Sequence, residues 1–178
     1  TQYNWQHGWD LVNEEDASGN LTRSYIGDLA DVAGSNPTSG TYRYYMQDSL
    51  ASTRSAYDSS KTIIASLEYD PYGGVFANTS PLDLTHRFTG HDLDSGAEMY
   101  FAAYRFYNPH GGRWSTRDPL GMCADGPNVY GYVKCSPTSK IDLLGLWGCC
   151  GGTPGTDPAP KKREPTCAEK AYDIASST

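Results

Sequence analysis

The sequence predicts an all-β fold, in which antiparallel hairpins form a curved or spiralling sheet that ends in a Gly/Pro-rich irregular tail. Three observations predict it. Apolar and polar residues alternate with a period of two in most segments before residue 147, and no long 3.6-residue period occurs there. The chain holds 14 Tyr and 4 Trp, rings that supply buried area with a polar handle and suit a pleated surface. It also holds 19 Gly and 11 Pro, enough for many turns. Its 178 residues allow one domain with a tail.

The elements follow in order. Residues 9–14 alternate, residues 16–20 (Asp-Ala-Ser-Gly-Asn) are a turn cluster, and residues 21–26 are a second strand, so this is a hairpin. Residues 34–40 form a loop rich in turn formers. An aromatic strand follows at 41–46, then a strand at 52–57, a turn at 58–61 and a strand at 62–69. Strand–turn–strand units recur about every twenty residues, a spacing at which a repeat architecture is suspected. Asp70-Pro-Tyr-Gly-Gly74 is a turn, with Pro setting one φ and Gly supplying the unusual one. Residues 75–84 read as a loop around Pro81, 85–89 as a short strand, 91–96 as a turn, and 98–106 as one strand ended by Asn108-Pro109. The region after 146 has a linker-like composition, and only residues 165–176 suit a short helix, with Thr166 as cap and Glu169 three residues on.

Several function classes are disfavoured. A net charge of −7 argues against binding nucleic acid or an anionic membrane. No apolar run is long enough for membrane insertion, and no signal peptide is visible. The chain starts at Thr1 and not Met, so a fragment or processed product is expected, with any targeting signal upstream. Five cysteines, Cys123, Cys135, Cys149, Cys150 and Cys167, lie in the last third and form no CxxC pair. Their odd number leaves at least one free or paired between chains. Clustering favours local disulfides in an oxidising, extracellular setting, with reduced buried thiols as the alternative.

The histidines His7, His86, His91 and His110 lack metal-ligand spacing. His86 and His91 could converge with Asp92, but histidines at turns and strand ends usually bind no metal, and neither metal nor cofactor is expected. Ser115 and Cys123 have no Gly-x-Ser-x-Gly elbow around them. The glycine pairs are turn glycines and form no phosphate loop.

One pattern stands out between residues 86 and 146. Asp118-Pro-Leu-Gly121 and Asp142-Leu-Leu-Gly145 repeat Asp-x-x-Gly near the two ends of a Gly- and Tyr-rich segment. This is either two similar turns, each aspartate capping its own backbone, or two carboxylates brought together for acid–base work. In the second case the pair shares a proton, because two close carboxylates resist ionising together. Arg113 and Arg117 flank Trp114 and would hold the aspartates or a carbonyl by bidentate hydrogen bonds, or make structural contacts. Arg87 and Arg105 read as structural partners of sheet tyrosines.

A set of blocks in fixed order resembles the Rhs repeat-associated core domain, found at the C-terminal end of Rhs and YD-repeat proteins. The blocks are Tyr69-Asp-Pro-Tyr-Gly73, Arg87-Phe-Thr-Gly90, Tyr104-Arg-Phe-Tyr-Asn-Pro109, Gly112-Arg-Trp-Ser115, Arg117-Asp-Pro-Leu-Gly121, Asn128-Val-Tyr-Gly-Tyr132 and Asp142-Leu-Leu-Gly-Leu146. The resemblance divides the chain into YD-repeat-like hairpins at 1–68, the core at 69–146, and a Cys/Pro-rich tail at 147–178. It implies self-cleavage after Leu146, at the Leu146–Trp147 bond, by Asp118 and Asp142. Leu143 departs from the family, which usually has Pro there.

The resemblance also implies a spiral shell of upstream repeats, a cap at one end, and a released C-terminal segment, often a toxin. Two expectations follow. One is an extracellular structural module that self-assembles with other copies through open sheet edges, as a filament or another homo-oligomer. The other is an encapsulation module and aspartyl-type autoprotease.

Overall fold

A computed structural model describes residues 1–6, 10–79, 84–122 and 126–146. Alternation dominates the first half of the chain, and there the backbone forms one antiparallel meander. Its strands are β1 (Gln2–Gln6), β2 (Asp10–Glu15), β3 (Leu21–Ile26), β4 (Ala30–Ala33), β5 (Thr41–Gln47), β6 (Thr53–Tyr57), β7 (Ile63–Tyr69) and β8 (Val75–Asn78). They lie in the sheet in sequence order, so each strand pairs with its chain neighbours and β1 and β8 are the edges. A second sheet of four short strands holds β9 (Asp92–Asp94), β10 (Met99–Phe101), β11 (Phe106–Asn108) and β12 (Arg113–Trp114).

Four hairpin turns share one construction. Each begins with an aspartate: Asp16, Asp48, Asp58 or Asp70. In the third, Asp58 Oδ1 accepts from the amides of Ser60 at 2.8 Å and Thr62 at 2.9 Å. The others repeat this at positions two and four residues beyond the aspartate. The residue three beyond each aspartate has a positive φ: Gly19, Ala51, Lys61 and Gly73. A register shift follows in each flanking strand pair, the signature of a type I turn with an adjoining bulge.

The two sheets share one core. Tyr45, Ala56, Ala65, Leu67 and Tyr69 of the large sheet pack in the same cluster as Phe88, Tyr100, Tyr107, Trp114 and Tyr132. Tyr107 and Tyr132 have ring centroids 4.2 Å apart, and Trp114 meets both edge-on. The phenols tie the layers together: Tyr100 donates to the Gly73 carbonyl at 2.9 Å and Tyr107 to that of Tyr72 at 2.8 Å. The core therefore crosses position 69, and the first sheet itself runs on to Asn78.

The strand readings need four corrections. Residues 75–78, read as loop, form β8, because the Asp70 turn returns the chain along β7. Residues 85–89 make only an isolated bridge at His86, then a 3-10 turn at Phe88–Gly90 in which Thr89 has a φ of 51°. Residues 98–106 are not one strand. Ala102 and Arg105 exchange backbone hydrogen bonds at 2.9 and 3.3 Å, closing a tight hairpin between β10 and β11. Strands β1, β4, β9 and β12 were not read at all. They are short, or, like β4 with its central Asp31, carry a charge whose partner lies on another strand: Arg43 Nε donates to Asp31 at 2.8 Å.

Candidate active site

Each Asp-x-x-Gly segment folds as a turn. Gly121 N donates to the Asp118 carbonyl at 3.0 Å and Gly145 N to that of Asp142 at 3.3 Å. Both glycines lie in the left-handed region, with φ of 64° and 74°. Gly145 is further constrained, since a Cβ there would stand 3.3 Å from Ala102, Arg105 and Trp114 alike. Each aspartate also caps its own turn: Asp118 Oδ1 accepts from Leu120 N at 2.7 Å, and Asp142 Oδ1 accepts from Leu146 N at 2.9 Å. The repeat is therefore two similar turns, each led by its own aspartate.

What joins them is Arg105. Its Nη2 lies 2.7 Å from Asp118 Oδ2 and 3.4 Å from Asp142 Oδ2. Its Nε donates to the Gly145 carbonyl, and its guanidinium lies 4.3 Å over the Trp114 ring. The β10–β11 hairpin turn delivers it, and Tyr104 N beside it donates to the Leu144 carbonyl at 3.1 Å. Arg105, Asp118 and Asp142 are all buried. Burial pushes the Asp118 carboxyl above its usual range, against the opposing pull of the Leu120 amide and the Arg105 charge. Leu120 and Leu146 pack together with Tyr104 and Leu144, so the last residue before the expected cleavage bond is buried beside the pair.

Other blocks support this frame. Trp114 N donates to the Tyr130 carbonyl at 3.0 Å and Asp118 N to that of Val129 at 2.9 Å, which lays the 128–132 block along β12 and the first turn. His91 holds the second turn: its Nε2 donates to the Asp142 carbonyl at 3.1 Å, while the Thr89 hydroxyl donates to Nδ1 at 2.8 Å. Burial pushes the His91 pKa down, in keeping with a neutral ring.

The structure does not bring Arg113 or Arg117 to the carboxylates; both are exposed. The arginine at the site is Arg105, read from sequence as a partner of tyrosines. Its position in an aromatic run hid the hairpin turn that redirects it. Arg87 is buried and donates from Nε to the Leu84 carbonyl at 2.7 Å. His86 ion-pairs with Asp92, and His110 is exposed 3.9 Å from Glu98. Among the described residues no group of three or more His, Cys, Asp or Glu is placed to hold a metal. Ser115 is exposed. Cys135 is exposed with a free thiol. His7, Cys123, Trp147, Cys149, Cys150, Cys167 and the candidate helix at 165–176 lie outside the described residues.

No family model matches the chain. Individual relatives do. Toxin subunit YenC2 of Yersinia entomophaga is 34% identical over 94 residues, covering 50% of this chain and 10% of that protein. RhsB of Dickeya dadantii is 40% identical over 65 residues, covering 36% of this chain and 4% of that one. A crystal structure of TcdB2-TccC3 without its hypervariable C-terminal region superposes with a TM-score of 0.62 at 27% identity, over 74% of this chain and 7% of that one.

The relatives of this chain are Rhs and Tc toxin proteins.

This chain thus spans a tenth or less of the length of these relatives. Toxin components recur among the proteins it is similar to. Among its described residues no helix is long and apolar enough to cross a membrane.

Proposed function

We propose that this module is an aspartyl-type autoprotease that cuts its own Leu146–Trp147 bond and frees the segment beyond, within a toxin-related protein acting outside the producing cell. The observation that carries this reading is the meeting of Asp118 and Asp142 on one nitrogen of Arg105, with the Leu146 amide hydrogen-bonded to Asp142. Three charged groups buried together, two negative and one positive, favour retention of one proton on the pair. Burial raises Asp118, which suits it to hold that proton. Asp142 then takes a proton from water as the water oxygen bonds to the Leu146 carbonyl carbon. Asp118 gives its proton to the Trp147 nitrogen as the C–N bond breaks, leaving a carboxyl group on Leu146 and an amine on Trp147. Arg105 orients both carboxylates and balances charge. Leu143, where the family usually has Pro, is 51% exposed, and its turn closes as the Pro119 turn does. Among the similar structures is TcdB2-TccC3 without its hypervariable C-terminal region, which fits a junction near this bond.

The test is the intact mass of the full chain beside Asp118→Asn and Asp142→Asn. Cleavage after Leu146 in the parent and its loss in both variants, with unchanged far-UV circular dichroism, is expected. An uncut parent chain under all conditions overturns the reading.

A second reading rests on the two open sheet edges. Among the described residues, β1 and β8 each have one side without a strand partner, and they carry exposed rings, Tyr3 and Trp5 on one and Phe76 on the other. Such edges accept another strand, from another copy or from upstream YD repeats. Sedimentation of the purified chain reads this directly: growth of large species with concentration supports assembly, and a constant monomer removes it.

A further inference from the structure

A second surface, with neither Asp118 nor Asp142 in its lining, lies where edge strand β1 meets the small sheet. Tyr3, Trp5, Phe101 and Phe106 stand there in series, with successive ring centroids 6.5, 5.1 and 5.4 Å apart. They line a cleft of about 300 Å³. Tyr3 is 48% exposed, Trp5 39% and Phe106 38%, so the rings remain open to solvent. Neighbouring planes are tilted by 47° to 57°, so the rings do not close over one another. The rim carries one exposed carboxylate, Asp94, whose Oδ1 accepts from the amides of Gly96 and Ala97, with Ser95 exposed beside it; the buried Asp92 is paired with His86.

An open aromatic cleft with a carboxylate at its rim matches an extended, proline-containing, basic peptide. Proline rings pack on aromatic faces, and a segment already held extended loses little entropy on docking. The sequence contains a segment of that composition. Pro158-Ala-Pro160 runs directly into Lys161-Lys-Arg163, with Pro154 and Pro165 on either side. Eleven residues separate Leu146 from Pro158, and in extended form they span up to about 40 Å. A body of this size has a radius of gyration near ~15 Å, so the segment can reach most of its surface.

We infer that the cleft of Tyr3, Trp5, Phe101 and Phe106 binds residues 158–163 of the same chain, with prolines on the rings and the three basic side chains along the Asp94 rim. The contact does not involve the aspartate pair. It holds the C-terminal segment against the module whether or not the Leu146–Trp147 bond is cut, so cleavage and departure become separate events.

The experiment places the photo-crosslinker p-benzoylphenylalanine at Tyr3 in the full, uncut chain, selected by mass. After irradiation at low micromolar concentration, crosslinked peptides are mapped by mass spectrometry. The expected product has monomer mass and joins position 3 to a peptide from residues 153–166. Its yield falls about tenfold in Pro158→Ala/Pro160→Ala, the change that ~1.4 kcal/mol of contact produces. Its yield also falls at high salt, which screens the rim. Products of dimer mass would assign the cleft to a second copy and overturn the inference. So would crosslinks confined to residues before 147, or a yield unaffected by the double proline variant. Neither proline is among the residues that line the cleft, so those changes leave its lining intact.

Discussion

At Arg105 one guanidinium lies 2.7 Å from a first carboxylate, 3.4 Å from a second and 4.3 Å over an indole, all of it buried. Replacing it by Met leaves two carboxylates without their counter-charge, and such a loss costs about 3–5 kcal/mol. Urea unfolding of Arg105→Met should show a fall of that size. Arg105→Lys should fall between the parent and Met, since an ammonium keeps the charge but lacks the planar fork. Two histidines set opposite pH responses. Burial alone would push His86 down, but the Asp92 hydrogen bond and the charges of Asp92, Asp28 and Asp31 outweigh it, and the pKa is raised from 6.5. Its stabilisation is therefore full below 6.5 and lost as pH climbs through the raised value. His91 is lowered from 6.5 by burial, so its contribution is present above 6.5 and lost as pH falls through the lowered value. Melting curves from pH 5 to 8 should show His86→Asn losing the decline on the alkaline side and His91→Gln losing the decline on the acidic side.

At the scale of the element, the Asp-led turn is the repeated device, and it is tunable in both directions. Lys61 holds a φ of 64° where Gly19 and Gly73 occupy the matching positions of their turns. The left-handed region costs an L-residue about 1–2 kcal/mol, and glycine's freer unfolded chain returns part of that. Lys61→Gly should therefore raise stability by about 0.5–1 kcal/mol. Asp58→Ala should lower it by about 1–2 kcal/mol, because the Ser60 and Thr62 amides lose their acceptor. Paired denaturation curves check both signs. A glycine with the opposite behaviour is Gly145, whose φ of 74° and tight surroundings make Gly145→Ala a displacement of the second turn relative to Arg105.

Across the whole molecule, the two sheets are not independent. Trp114, 1% exposed, packs on Tyr107 and Tyr132 and lies beneath Arg105. Trp114→Ala should cost about 3–5 kcal/mol. Because β5–β7 share this core with β10–β12, the loss should appear as one earlier transition. Hydrogen exchange should rise together in β5–β7 and β10–β11. Faster exchange in the small sheet alone would mean that the layers unfold separately.

The sequence by itself determined what depends on near neighbours. Period-two alternation and turn residues identified β2, β3, β5, β6 and β7, and the Asp-x-x-Gly repeat singled out Asp118 and Asp142 before any coordinate was known. Only the tertiary structure decided which charge serves them. Arg105 and Asp142 are 37 positions apart, and no local pattern distinguishes Arg105 from Arg113 or Arg117. It also decided that residues 98–106 break into a hairpin, since the turn is held partly by Tyr104 donating to Leu144, and that residues 75–78 are a strand, since β7 supplies their partner. The reason is physical. A turn or an alternating strand is encoded within a few bonds, whereas the pairing of buried charges is selected by the cost of leaving any of them alone once the aromatic core has closed around them.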